Sequence, residues 1–245
     1  MKNLIMTILC FCVTESSFAQ LKTINYKDGD QKLTGLLNSD AGAGAPGVLI
    51  LPAWMGIDDE ATQAAAQLSK SGYMTFVADI YGEGNKPSNA AEAGKQAGKY
   101  KNDFQAYQRR IRLALEELVR AGASPGRLAV MGYCFGGTGA LEAARGDLEV
   151  QGVISIHGNL GKGSRPDGPL NTKILVLHGA ADPHVSNEEI ANFRTEVESA
   201  HADWQMIYYA DAKHAFTNPE SPDFQPLAAQ RSWKHLQVFL EEILK

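Results

Sequence analysis

Leu128-Ala129-Val130-Met131-Gly132-Tyr133-Cys134-Phe135-Gly136-Gly137 is an apolar run, a Gly-x-Cys-x-Gly-Gly turn and the first residue of a helical pattern over 137–144. Residues 128–131 read as a buried strand. A strand that passes into a helix around such glycines is a nucleophile elbow, here with Cys in the place usually held by Ser. In so tight a turn a side chain at Gly132 or Gly136 would collide with neighbouring backbone. The apex residue, Cys134, is expected in a strained backbone conformation with its sulfur exposed. It also opens a helix, where free N–H groups and the dipole favour an anion, here a thiolate. The Phe135 N–H is then expected to face an oxyanion forming on a substrate. The competing reading is a structural Cys buried in a Gly-rich turn. The flanking strand and helix, and residues further along the chain, weigh against it.

On either side of this stretch, strand and helix patterns alternate. Apolar runs fall at 48–51, 73–78, 152–156, 174–177 and 205–209. Helical patterns fall at 60–70, 101–121, 187–200 and 228–244, the second with Ile111, Leu115 and Leu118 on one face. Two earlier strands, 21–26 and 32–37, flank the hairpin signal Asp28-Gly29. Residues 39–47 read as a flexible connection, and 82–98 as a surface loop or, alternatively, a mobile lid. Runs without polar alternation imply strands buried on both faces. The succession predicts one α/β domain, a mostly parallel central sheet flanked by helices on both faces. In such sheets the chemistry lies beyond the carboxyl ends of the strands.

The partners of Cys134 are sought there. Ile174-Leu175-Val176-Leu177-His178-Gly179-Ala180-Ala181-Asp182-Pro183 is a strand and a Gly-containing turn that ends in a carboxylate. Asp182 is the candidate orienting acid, with helix capping as the alternative. Among the later histidines, His201 ends a helix and His235 lies inside one. His214 follows the 205–209 strand in a loop and is the candidate base. His157 and His184 are read as pocket lining, and His178 as packing at a strand end. These roles predict that His214 takes the thiol proton, Cys134 attacks a carbonyl, and Asp182 fixes the imidazole tautomer. Trp54, Tyr81 and Phe216 are candidates for an apolar substrate pocket, although Trp54 reads equally well as packing.

Composition bounds the function class. The 245 residues are 44% hydrophobic and 21% charged, with a formal net charge of -5 and no Lys/Arg run. That argues against nucleic acid or an anionic membrane as partner. The His and acidic residues show no metal-ligand spacing, so neither metal nor cofactor is expected. Lys2, the apolar run 4–13 and Ser17-Phe18-Ala19 form a signal-peptide pattern. The expected division is a signal peptide over 1–19 and a single hydrolase domain over 20–245, exported to the periplasm or medium and monomeric. Cys10 and Cys12 would leave with the signal, so the mature chain would keep Cys134 alone.

The elbow Gly132-Tyr133-Cys134-Phe135-Gly136-Gly137, the turn His178-Gly179-Ala180-Ala181-Asp182 and His214-Ala215-Phe216 together resemble the dienelactone hydrolase family, from about Ile24 to the C-terminus. The resemblance implies the α/β-hydrolase fold, no metal, a Cys134-His214-Asp182 triad and a small-molecule ester or lactone as substrate. It also implies a second oxyanion donor, the Trp54 N–H. Three positions depart from the family. Its type enzyme carries a Glu that holds and then releases the thiol, where this chain has Ala53. Two arginines that clamp the dienelactone carboxylate are replaced near Glu83 and at Thr217-Asn218. Dienelactone itself is therefore expected to be a poor substrate. The alternatives are a non-catalytic ligand-binding member of the fold and an acyltransferase. A redox sensor would lack a resolving Cys.

Overall fold

A computed structural model describes residues 21–245, and the expected signal peptide, 1–19, lies outside them. The strands are β1 (Lys22–Asp28), β2 (Gln31–Asn38), β3 (Gly47–Leu51), β4 (Met74–Val77), β5 (Leu128–Tyr133), β6 (Gly152–Ile156), β7 (Lys173–Gly179) and β8 (Trp204–Tyr209). They form one sheet in the order β1-β2-β4-β3-β5-β6-β7-β8. β1 and β2 pair antiparallel across a tight turn at Gly29, whose φ of 59° suits glycine. β2 pairs antiparallel with β4, and β4, β3, β5, β6, β7 and β8 run parallel. Every residue of β3, β4, β5 and β6 is buried. That is the burial of parallel strands covered on both faces, and it explains their unbroken apolar runs.

The helices are α1 (Asp59–Lys70), α2 (Ala90–Asn102), α3 (Phe104–Arg120), α4 (Phe135–Arg145), α5 (Asn187–Ser199) and α6 (Pro226–Leu244). On one face, α3, α4 and α5 bury Tyr107, Ile111, Leu118, Leu141, Phe193 and Val197. On the other, α1 and α6 bury Ala61, Ala65, Leu68, Leu236, Phe239 and Leu240. The sheet is thus the middle layer of three.

One stretch differs from the sequence reading. The helix expected over 101–121 is α3 from Phe104, its first two residues ending α2, and much of the expected loop at 82–98 belongs to α2. Asn89 caps α2 by accepting the Glu92 N–H, while the Glu92 carboxylate accepts the Ser88 N–H, a reciprocal cap. Ala93, Ala97 and Tyr100, spaced four and three apart, anchor α2 in the core. Asp103 then ends α2 and caps α3 through the Ala106 N–H. Small residues and lysines concealed this stripe in the sequence.

A buried ionic cluster ties α4 to the loop after β6. Arg145 bonds Glu196 of α5 at 2.8 Å and Glu142 of its own helix at 3.1 Å. It also donates to the carbonyls of Leu160 and Gly161. The Arg145 side chain is 7% exposed and the two carboxylates less, so removing it would leave buried Glu196 without a cation, while Glu142 keeps Arg165. Arg145→Met is expected to lower unfolding stability by about 3–5 kcal/mol. A urea melt within 1 kcal/mol of the wild type would contradict this reading.

Candidate active site

Loops from the carboxyl ends of β3, β5, β6, β7 and β8 converge at one edge of the sheet. Cys134 stands between β5 and α4 with φ 52° and ψ −112°, a backbone conformation strained for a side-chain-bearing residue. A Cβ on Gly132 would run into the Gly136 carbonyl, and one on Gly136 into the carbonyl of Leu51 in β3. The glycines are therefore required by close backbone packing on both sides of the turn. The Cys134 N–H donates to the Ile156 carbonyl at 3.0 Å and to His157 Nδ1 at 3.1 Å. Its thiol is free and partly exposed. Phe135 is the first residue of α4, so its N–H has no acceptor within the helix.

An aromatic stack fixes this helix start. Tyr107 lies 4.7 Å from the Phe135 ring at an interplanar angle of 6°, and its hydroxyl donates to the Phe135 carbonyl at 2.9 Å. Tyr81 stacks on the same ring at 5.6 Å and donates to the Trp54 carbonyl at 2.8 Å. One stack thus joins the elbow to the loop after β3, the two segments expected to supply oxyanion donors.

His214 stands in the loop after β8. Its Nδ1 meets Asp182 Oδ2 at 2.9 Å, with the His214 side chain 17% exposed and that of Asp182 wholly buried. Cys134 is also among the groups that raise the pKa of the ring. Asp182 Oδ1 accepts the His184 N–H at 2.8 Å, so both carboxylate oxygens are committed. Gly179 permits the approach of the two loops, because a Cβ there would meet the Ala212 carbonyl. That carbonyl accepts the Ala181 N–H at 2.9 Å. Burial alone would lower the His214 pKa, but the hydrogen bond to Asp182 and the influence of Cys134 outweigh it and raise it to about 10. Burial would likewise raise the Asp182 carboxyl, but the bonds from His214 and the His184 N–H hold it below the usual range. The arrangement is that of an imidazolium hydrogen-bonded to a buried carboxylate.

Several residues differ from their expected places. Phe216 is wholly buried between Tyr209 and His157, so it supports the site from beneath and does not line a pocket. Tyr81, 3% exposed with its hydroxyl committed to Trp54, is a brace for the loop and not a substrate contact. Trp54 is the exposed member of the expected pocket group. Glu83 is largely exposed and lies 3.8 Å from Lys32. Asn218 follows Thr217, whose hydroxyl is engaged in the interior. A cavity of about 760 Å³ adjoins the site through Asn159, which donates to the His184 carbonyl, but Cys134 and His214 do not line it. Among the described residues, no group of three or more His, Cys, Asp or Glu side chains is placed to hold a metal. None of their helices is long and apolar enough to cross a membrane.

His157 was expected to line the pocket and is instead buried under it. Its Nε2 meets the Thr217 hydroxyl at 2.8 Å, and that hydroxyl donates to Glu60 Oε1 at 2.6 Å. Burial, and then the charge of His214, push the His157 pKa down to about 3, so the ring is neutral. Burial pushes Glu60 up to about 7, partly offset by the Thr217 bond. Glu60 reads in sequence as an ordinary first-turn residue of α1, and nothing local connects it to Thr217. A carboxyl raised on folding opposes stability as pH rises from its unfolded value, near 4.5, through its folded one. Glu60→Gln should therefore gain stability over the wild type between pH 5 and pH 8. A melting-temperature difference that is constant across this range would contradict the assignment.

The comparisons with known proteins agree with the geometry. The family model described as "Dienelactone hydrolase family" matches residues 33–244. A probable 2-oxo-3-(5-oxofuran-2-ylidene)propanoate lactonase from a Bradyrhizobium species is 26% identical over 87% of this chain and 90% of its own. Among solved structures, m3DLH is 30% identical with a TM-score of 0.85, covering 92% of this chain and 99% of its own. A dienelactone hydrolase-like promiscuous phosphotriesterase from metagenomic libraries is 27% identical with a TM-score of 0.84, over the same shares. The chain therefore belongs to the dienelactone hydrolase family of carboxylic ester hydrolases.

Proposed function

We propose that the protein hydrolyses an ester or lactone through a thioester on Cys134. The observation that carries this reading is the His214 ring, bonded to Asp182 through Nδ1 and raised in pKa by Asp182 and Cys134 together. The Cys134 thiolate attacks the carbonyl carbon, and the carbonyl electron pair moves to oxygen. The N–H groups of Phe135 and Trp54 receive that oxyanion. Collapse breaks the acyl C–O bond, and the Nε2 proton of the His214 imidazolium passes to the leaving alkoxide. In a lactone that alkoxide stays tethered to the acyl group. Neutral His214 then takes a proton from water, hydroxide adds to the thioester, and the thiolate departs. Asp182 holds the ring in the required tautomer throughout.

Ala53 removes the carboxylate that would compete for the thiol in the family's type enzyme. With that carboxylate gone, His214 is the group left to take the thiol proton. Neither former clamp position offers a cation, since they carry Glu83 and Asn218. This favours a neutral ester or lactone over a carboxylate-bearing one. The pattern Lys2, 4–13 and Ser17-Phe18-Ala19 supports export out of the cytoplasm.

Cys134→Ala and His214→Ala are each expected to lower kcat for a p-nitrophenyl ester at least 10³-fold, on the scale of losing a covalent nucleophile or its base. Wild-type rates in either variant would overturn the assignment. In a panel of aryl esters, acetylated sugars, neutral lactones and dienelactone, dienelactone should show the lowest kcat/KM. Its emergence as the best substrate would refute the reading of Glu83 and Asn218. N-terminal sequencing of protein from the periplasm or medium should begin near Gln20, and an intact Met1 there would refute export by cleavage.

A further inference from the structure

Four groups form a continuous chain of hydrogen bonds behind the nucleophile. The Cys134 N–H donates to His157 Nδ1, His157 Nε2 meets Thr217 Oγ1, and Thr217 Oγ1 donates to Glu60 Oε1. The distances are 3.1, 2.8 and 2.6 Å. The direction of every bond follows from chemistry. A backbone N–H only donates, so Nδ1 must carry a lone pair, and the proton of the neutral ring resides on Nε2. That proton goes to the Thr217 oxygen, which leaves the hydroxyl proton for Glu60. The carboxylate is the acceptor that terminates the chain.

The chain matters because two of its members sit in strained backbone. Cys134 has φ 52° and His157 has φ 40°, both in the left-handed region. The opposite His157 tautomer would place Nδ1–H against the Cys134 N–H, donor facing donor, at the point where the elbow is most strained. The His157 ring also lies edge-on to His214, with centroids 5.2 Å apart, so its position bounds the face of the base.

We propose that Glu60, acting through Thr217 and His157, is a positioning residue that fixes the His157 tautomer and so holds the Cys134 backbone in its reactive conformation. Neither Glu60 nor Thr217 touches the reacting atoms. The charged and titratable groups around Glu60 are Asp58 at the start of α1, His214 and Tyr133 on the site side, and Lys234 of α6 across a shared cavity of about 490 Å³. The hydrogen bond to Glu60 comes from the uncharged Thr217. Glu60 stands seven residues beyond Ala53, so it restores a carboxylate to this region, but one directed at the backbone of the elbow and not at its thiol.

The effect on rate rests on the esterase reading, whereas the tautomer does not. In protein with ¹⁵N-labelled histidine, long-range ¹H–¹⁵N correlation should show His157 protonated at Nε2 and unprotonated at Nδ1. Thr217→Val and Glu60→Ala should each mix or invert that tautomer. Each should lower kcat for the aryl ester at least tenfold while leaving KM within about twofold. Thr217→Ser and Glu60→Gln, which keep an oxygen in place, should restore both the tautomer and most of the rate. An Nδ1–H tautomer in the wild type would overturn the proposal, as would unchanged tautomer and rate in both disruptive variants. If the wild type turned over no ester, the proposed function would fall, while the tautomer in the wild type and its variants would still decide the chain.

Discussion

Cys134 is held at φ 52° between a strand and a helix, and the rest of the site is arranged around that constraint. The turn can form because Gly132 and Gly136 leave room for each other and for the end of β3. It stays formed because the strained residue is gripped through its N–H, by the Ile156 carbonyl and by His157. Backbone strain of this kind costs on the order of 1–3 kcal/mol and persists only where the surroundings over-determine it. Those surroundings are two-sided here. The Tyr81–Phe135–Tyr107 stack fixes the helix start from one side, and His157, Thr217 and Glu60 fix the apex from the other.

The electrostatics follow from the same geometry. His157 and His214 have rings 5.2 Å apart, yet burial drives one to the neutral form while Asp182 and Cys134 hold the other as the cation. Two adjacent imidazoles thus have opposite duties. The neutral ring accepts a backbone N–H, and the charged one pairs with a carboxylate. Asp182 serves one histidine and Glu60 terminates the chain from the other. Two carboxylates therefore divide the support of the nucleophile between its side chain and its backbone.

The sheet and the elbow were legible because each depends on local pattern. Buried parallel strands leave unbroken apolar runs, as in 48–51 and 152–156, and a tight strand-to-helix turn demands its glycines. His214 and Asp182 were legible from their places after strand runs in a recognisable order. What the sequence concealed was long-range or compositionally quiet. The α2 helix hides in a stretch of Ala, Gly and Lys whose buried stripe is only Ala93, Ala97 and Tyr100. Tyr81 and Phe216 look like pocket aromatics until their burial is seen. The contact of Glu60 with Thr217 spans 157 residues, and no local spacing announces it.

The account stands on the sulfur of Cys134 becoming the acyl carrier, and the most direct measurement is mass spectrometry of a quenched reaction. Rapid acid quench during turnover of a slow aryl ester should leave the acyl mass on the peptide that contains Cys134, in a bond cleaved by hydroxylamine. Continued turnover with that peptide unmodified and the acyl group attached to another residue would contradict it.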